Sequence, residues 1–363
     1  MKLFFYVQHL LGIGHLRRAS VLARALAAAG FDVTLASGGM PVANVVPQSV
    51  RLVQLPPAAA EDASFRQLVD ANGRRVDDAW KSRRKEALLT AFEACSPEIL
   101  LVELFPFGRR QMRFELLPLL ERAAGRCRVA CSVRDLIQGK PGREEEMLAT
   151  AERFFGRILV HGDPRLANFP LASRLGGKLH YTGYVVEDLP MEGDAGKGEV
   201  LVSAGGGAVG GRLLETAILA RPMTALRDRT WRVIAGINGP DLSAFQQEGI
   251  VIEKMRQDFT TLLGNCELSI SQAGYNTVME TLQARARAVL VPFAGEGEAE
   301  QATRARLLAG RGLVEVVDER TLDPAGLAAA VDRVAARPRP GAAAVDLDGA
   351  RRSAALLKEW AHG

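Results

Sequence analysis

Residues 269–308 read SISQAGYNTVMETLQARARAVLVPFAGEGEAEQATRARLL. A short apolar run ends at Ser271, a turn with Gly274 follows, and an amphipathic stretch over 277–284 carries Glu280 in its first turn. A second apolar run over 288–291 stops at Pro292, and an acidic loop then closes on Glu300 and Gln301. Strand, glycine turn, helix and strand in this order form a βαβ unit, which predicts a parallel sheet covered by helices.

The same alternation extends in both directions. Upstream of the quoted stretch it predicts strands over 200–203, 231–235, 251–252 and 268–271, with helices over 213–220 and 259–263. In the first half it predicts strands over 3–7, 33–36, 99–102, 129–133 and 158–160, with helices over 16–29 and 74–94. Between the halves, residues 186–198 lack periodicity and are rich in Gly, Pro and acidic side chains, as a linker is. The expected organisation is a first Rossmann-like domain over 1–185, a linker over 186–198 and a second such domain over 199–348. A last amphipathic helix over 349–363 is placed to pack back on the first domain.

Composition fits two globular domains. The chain has 363 residues, 48% of them hydrophobic and 24% charged, enough for two cores of ordinary size. Lys and Arg number 46 against 42 acidic residues, a net charge of +4. That excess suits anionic ligands and gives no reason to invoke nucleic acid. Four cysteines without a CxxC pair or zinc spacing point to a reducing cytoplasm. The apolar start is broken by Gln8 and His9 and reads as a buried strand rather than a leader. No run is long enough to span a bilayer.

In open parallel sheets ligands bind beyond the carboxyl ends of the strands. Gly205, Gly206 and Gly207 fall between a strand and a helix, where backbone N–H groups can face an anion; a tight turn that needs glycine for steric reasons is the other reading. Gly12 and Gly14 sit in a similar loop before His15. This loop lacks the third glycine and the acidic strand end of a dinucleotide site, which disfavours NAD. His15 at a helix N-terminus would stay neutral near pH 7, as a general base must; a polar cap of the turn is the alternative. Glu103 closes the strand over 99–102 and would orient the His15 imidazolium or bind the acceptor; a strand-end carboxylate paired with Arg109 or Arg110 is the other reading. His9, Asp135 and His161 read as structural.

The order Gly274, Asn276-Thr277, Glu280, Pro292, Glu300-Gln301 resembles the donor site of GT-B glycosyltransferases. It is most similar to the family of the N-acetylglucosaminyltransferase that forms lipid II, glycosyltransferase family 28, and more distantly to UDP-glycosyltransferases. The resemblance implies a GT-B fold, two Rossmann-like domains with parallel sheets facing across a cleft. It implies an inverting, metal-independent transfer of a hexose or N-acetylhexosamine from a UDP-sugar, the co-substrate, with no cofactor. By residue, it implies Glu280 for the ribose hydroxyls and Glu300 with Gln301 for the sugar. Ser203, Gly205, Gly206 and Gly207 with Gly274, Asn276 and Thr277 would surround the diphosphate, Gly14 would meet the donor from the N-terminal loop, and the backbone at Met255 would lie against the base. His15 would be the base, with Glu103 beside it. A rival for Glu280 is local, since Thr277-x-x-Glu280 is also a capping box.

Other functions use the same scaffold: hydrolases and epimerases of UDP-sugars, and a non-catalytic UDP-sugar-binding protein. The acceptor is left open between a lipid-linked and a small-molecule hydroxyl compound, because residues 56–125 do not follow the family closely. Arg74, Arg75, Lys81, Arg83, Arg84 and Lys85, with Phe105, Phe107, Arg109, Arg110 and Arg113, are candidates for a basic, partly aromatic face that would meet the inner face of a membrane. The ordinary alternative is a solvated helix face beside core aromatics. Asp346-Leu347-Asp348 matches a metal-binding DxD in spelling only and reads as a solvent-exposed tail.

Overall fold

The computed structural model describes residues 1–62, 67–136, 142–187, 192–204, 210–236, 239–295, 300–341 and 345–362. The chain divides into two compact units, Met1–Val185 with Asp346–Gly363, and Val186–Val345. Both are α/β units built on a wholly parallel sheet.

In the first unit the strands are β1 (Lys2–Val7), β2 (Asp32–Ser37), β3 (Arg51–Gln54), β6 (Ile99–Glu103), β7 (Arg128–Arg134), β8 (Arg157–His161) and β9 (Leu179–Tyr181). A small antiparallel pair, β4 (Ala59–Ala60) and β5 (Leu68–Val69), stands outside that sheet. The helices are α1 (Gly14–Ala28), α2 (Asp78–Cys95), α3 (Arg113–Ala123), α4 (Glu144–Phe154) and α5 (Ala172–Leu175). The sheet order is β3-β2-β1-β6-β7-β8-β9.

Two-residue alternation assigns each strand residue to one of two cores. Phe4, Tyr6, Leu100 and Val102 pack with Leu88 and Phe92 of α2 and Leu116 and Leu120 of α3. Leu3, Phe5, Val7, Ile99 and Leu101 pack with Leu16, Leu22 and Leu26 of α1. Burial on both faces explains why β1 and β6 read as unbroken apolar runs. Ala354 and Leu357 of the last helix, α11 (Gly349–His362), join the second of these cores. The guanidinium groups of Arg128 and Arg157 lie over the ring of Trp360 of α11, 5.6 and 5.3 Å from its centre.

The second unit has β10 (Val200–Ser203), α6 (Gly211–Ala220), β11 (Trp231–Ile234), β12 (Ile250–Glu253), α7 (Phe259–Asn265), β13 (Leu268–Ser271), α8 (Tyr275–Gln283), β14 (Ala288–Leu290), α9 (Glu300–Ala309), β15 (Glu315–Val316) and α10 (Pro324–Ala335), with sheet order β12-β11-β10-β13-β14-β15. Each sheet reverses its strand order beside its first strand, between β1 and β6 and between β10 and β13. A crevice opens beyond the strand ends at such a reversal. The loops leaving β1 and β10 and the ends of β6 and β13 therefore hold the positions where a ligand is expected.

Local chemistry moves several boundaries. The helix expected over 74–94 starts at Asp78, because extended Asp77 caps it by accepting the Trp80 N–H at 2.7 Å. Arg74 and Arg75 lie before it, and Arg75 pairs with Glu61 at 3.0 Å. Helix α8 starts at Tyr275 rather than 277, so Glu280 sits in its second turn, not its first. Glu300 and Gln301 open a helix, α9, rather than closing a loop.

Candidate functional site

In the N-terminal unit the loop after β1 leads directly into α1, which places His15 at the second helical position. Glu103 is the last residue of β6, the strand next to β1. The topology thus brings together two residues 88 positions apart: His15 Nδ1 lies 2.7 Å from Glu103 Oε1. Arg18, one helical turn beyond His15, donates through Nη2 to the same oxygen. Glu103 and Arg18 are buried, while 17% of the His15 side chain remains exposed. Glu103 pairs with His15 and Arg18, so the expected partners Arg109 and Arg110 do not hold it; Arg109 donates instead to the Gln8 carbonyl at 2.7 Å.

The backbone beyond Glu103 is built to make this turn. Leu104 and Arg109 take left-handed φ values of 67° and 56°, costly for side chains of this size. The Leu104 N–H donates to Ser132 O at 2.8 Å, and the Gly108 N–H returns to Leu104 O at 3.0 Å. Phe105 and Phe107 are thereby folded into the core.

The electrostatics favour a neutral ring. Burial pushes His15 down to about 3 against the pull of Glu103, and the nearby Arg109 and Arg18 add to the fall. Burial dominates here, rather than the helix dipole that the sequence suggests. Burial on its own would raise Glu103, but His15, Arg18 and Arg109 together bring it to about 2. A neutral imidazole beside an ionised carboxylate donates from Nδ1 and leaves Nε2 as the acceptor.

His161 at the end of β8 is structural in its bonding. Its Nε2 lies 2.8 Å from Ser132 Oγ and its Nδ1 2.9 Å from Thr182 Oγ1. Burial brings it to about 3, with Arg18 adding to the fall. His15 and His161 thus refuse a proton that the unfolded chain accepts near its ordinary value of 6.5. Their contribution to stability is complete above about pH 7 and is lost as the pH falls from 6.5 toward 3. Chemical denaturation is expected to show a loss of about 2 kcal/mol per histidine by pH 5. A stability that stays flat between pH 7 and 5 would contradict it. His9 Nε2 donates to Met40 O at 3.1 Å, and Asp135 is buried.

In the C-terminal unit the turns after β10 and β13 touch. Gly210, at φ 117°, has no room for a side chain because Ala204 and Gln272 occupy the place of its Cβ. Ser203 ends β10, buried, and its carbonyl accepts the Gln272 N–H at 3.3 Å. Gly205, Gly206 and Gly207 lie outside the described residues. Gly274 caps α8 without a side-chain hydrogen bond, at an ordinary φ of −62°. Nothing lies within 4 Å of where its Cβ would stand, so neither conformation nor packing requires glycine there. A ligand approaching the helix N-terminus would require it.

Asn276 and Thr277 follow in the first turn of α8, and Glu280 lies three residues beyond Thr277 on the same face. The capping box is not formed, because Gly274 and not Thr277 is the cap. Glu300 is buried and pairs with Arg304 at 2.6 Å, and the Arg304 guanidinium stands 5.2 Å from the centre of the Tyr275 ring. These contacts fasten the start of α9 to the start of α8. Gln301 Oε1 accepts the Phe293 N–H at 3.1 Å. Met255 lies on an exposed turn after β12, pinned by Arg256, which pairs with Glu253 at 3.2 Å and Asp258 at 2.7 Å.

Phe105 and Phe107 are core aromatics, as the ordinary reading has them, and Arg84 is buried too, so these three drop out of the basic, partly aromatic face. Arg84 is held by Glu115, at 2.8 Å from Nε to Oε2. Asp346 and Asp348 are not a solvent-exposed tail: both are partly buried, pairing with Arg352 and with Arg351. The Asp346 carbonyl accepts the Tyr184 N–H at 2.7 Å where the chain re-enters the first unit. Among the described residues no group of three or more His, Cys, Asp or Glu is arranged to hold a metal, and no helix is long and apolar enough to cross a membrane.

Arg18 and Arg304 are absent from the sequence-level candidates. A signal for Arg18 exists, since it continues the inward stripe of Leu22 and Leu26.

Residues 239–351 match the model of the glycosyltransferase family 28 C-terminal domain. The chain is 27% identical over 132 residues to the UDP-N-acetylglucosamine--N-acetylmuramyl-(pentapeptide) pyrophosphoryl-undecaprenol N-acetylglucosamine transferase of Prochlorococcus marinus, covering 36% of each chain. It is 30% identical over 157 residues to the protein of the same name from Geobacillus kaustophilus, covering 40% of this chain and 44% of that one. The aligned region thus spans less than half the length of these relatives. Among solved structures, the glycotransferase of kitacinnamycin superposes with a TM-score of 0.69 at 19% identity, over 99% of this chain and 98% of that one. MurG of Acinetobacter baumannii gives 0.64 at 15% identity over 99% of both. The chain therefore has the GT-B fold, and residues 239–351, mostly within its C-terminal unit, are similar to the C-terminal domain of glycosyltransferase family 28.

Proposed function

We propose that this protein is an inverting, metal-independent transferase that moves a hexose or N-acetylhexosamine from a UDP-sugar to a hydroxyl-bearing acceptor. The observation that carries the reading is the His15–Glu103 pair: a neutral imidazole whose Nδ1 lies 2.7 Å from a buried carboxylate, with Nε2 left to take a proton. The acceptor oxygen bonds to the anomeric carbon, its proton passes to His15 Nε2, and the bond from that carbon to the diphosphate oxygen breaks with its electron pair leaving on UDP. Attack opposite the leaving group inverts the centre. Such a tuned pair has no use in a passive binder of nucleotide sugars.

On the donor side, the N–H groups at the start of α8 meet the charge on the departing diphosphate. Glu280 is assigned to the ribose, since a carboxylate accepts from two vicinal hydroxyls at once. Gln301 is assigned to the sugar with Glu300, whose pairing to Arg304 makes it the more firmly held of the two. The backbone at Met255 is assigned to the base. The matched relatives are named for a UDP-N-acetylglucosamine donor and an undecaprenol-linked acceptor. A lipid-linked hydroxyl compound is accordingly one acceptor class and a small molecule the other. The proposed location is the cytoplasm, with any membrane contact made by residues other than the buried Arg84, Phe105 and Phe107.

Thermal denaturation with UDP-, GDP- and dTDP-sugars tests the donor. The UDP-sugar is expected to stabilise the fold by about 2.7 kcal/mol at 100 times its Kd, and the other two to do much less. Rapid release of UDP without acceptor, or recovery of an epimeric sugar, would replace transfer by hydrolysis or epimerisation.

A further inference from the structure

We propose that Arg18 is a positioning residue for the base: by sharing Oε1 of Glu103 with His15, it holds the carboxylate on the Nδ1 side of the ring and fixes both the tautomer and the proton affinity of His15. The inference rests on the transferase reading for its catalytic meaning. Its geometry stands without it.

Two donors converge on one oxygen, Nδ1 of His15 at 2.7 Å and Nη2 of Arg18. Arg18 comes from the same helix as His15, three positions on, so one rigid element carries both donors. The Arg18 side chain is 2% exposed and Glu103 1%, so their interaction is little screened by solvent. A carboxylate engaged by a guanidinium has less charge to spend on the imidazolium than one engaged by His15 alone. Arg18 therefore lowers the pull that Glu103 exerts on a proton at His15 and keeps the ring unprotonated until an acceptor hydroxyl arrives.

Arg109, from the loop after β6, acts on both His15 and Glu103 in the same sense as Arg18. The charge of Arg134, from β7, is felt at Arg109, and that of Arg18 at His161, from β8.

The test is imidazole nitrogen NMR on the full chain, whose five histidines are separated by assigning His15 through its loss in His15→Asn. Wild-type His15 is expected to be neutral at pH 5 with its proton on Nδ1. In Arg18→Met its titration is expected to rise by about one pH unit or more, because Glu103 then serves the imidazolium alone. Arg18→Lys, which keeps a charge but not the fork, is expected to fall between them. The acidic limb of kcat/KM moves with the NMR titration in each variant. A residue serving only the fold would change stability and leave tautomer and titration where they were.

Unchanged titration and tautomer in a folded Arg18→Met overturn the proposal. If that variant does not fold, wild type and Arg18→Lys decide: a wild-type His15 that titrates near 6.5, or carries its proton on Nε2, overturns it, as does an Arg18→Lys protein indistinguishable from wild type. The expected shifts in a protein that transfers no sugar leave Arg18's hold on His15 standing and overturn the transferase reading alone.

Discussion

His15→Ala is expected to lower turnover on the order of 100-fold to 10,000-fold, the range in which a positioned general base contributes. Affinity for UDP, which the C-terminal unit is proposed to supply, is expected to be kept. Loss in kcat with Kd preserved is the signature of an interaction made in the transition state. The variant is expected to fold, because Arg18 remains on Oε1 of Glu103 and the buried carboxylate is not orphaned. Steady-state kinetics with a UDP-sugar and calorimetric titration with UDP read the two quantities separately. Turnover within a factor of about three of wild type would remove His15 from the mechanism, since a general base contributes far more than that. With folded wild-type His15 brought to about 3, the acidic limb of kcat/KM is expected below pH 5 and not near the ordinary value of 6.5.

How much of this site the sequence displays depends on distance along the chain. The turn at Gly274, the helix that follows and Glu280 lie within one βαβ unit, so residue order alone arranges them. His15 is legible for the same reason, at a glycine loop between a strand and a helix. Its pairing with Glu103 needs the knowledge that β1 and β6 are neighbours, which the pattern of strands implies but does not state. Arg18 escapes because a charged residue on a helix is read as solvated by default. Its place on the stripe of Leu22 and Leu26 is the cue that overrides the default.

Boundaries follow the same logic. Asp77 ends the expected extension of α2 by a local cap whose signal, Asp followed by a helix former, competes with the basic residues before it. Glu300 reads as part of an acidic loop because its partners are Arg304, one turn on, and, through Arg304, Tyr275 on another helix. Helical character that rests on tertiary contacts leaves a weak mark on a short amphipathic segment such as α9.

Arg84 is the sharpest case, and Glu115→Leu the second large effect expected. Within Arg83-Arg84-Lys85 nothing local says which charge turns inward. The structure sends Arg84 into the core, where its side chain and that of Glu115 are both fully buried. Its Nε faces Glu115 Oε2 at 2.8 Å and its Nη2 donates to Glu115 Oε1 at 2.9 Å. It also donates to Gln8 Oε1 at 2.8 Å and Gly38 O at 3.0 Å, and Tyr6 donates its hydroxyl to Glu115 at 2.6 Å. A side chain at Gly38 would displace the ends of Arg84 and Gln8, which stand where its Cβ would be. Glu115→Leu leaves a desolvated guanidinium without its carboxylate and is expected to cost about 3–5 kcal/mol. Urea denaturation of the single and double variants measures it. Arg84→Met in the Glu115→Leu background is expected to recover at least half, because an apolar pair avoids the stranded charge, though Gly38 O then loses a donor. Costs that simply add would mean that the two residues act independently. Because Gln8 leads out of β1 into the loop before His15, the same ion pair braces the backbone that carries His15, and its loss is expected to lower turnover even in the fraction of molecules that remains folded.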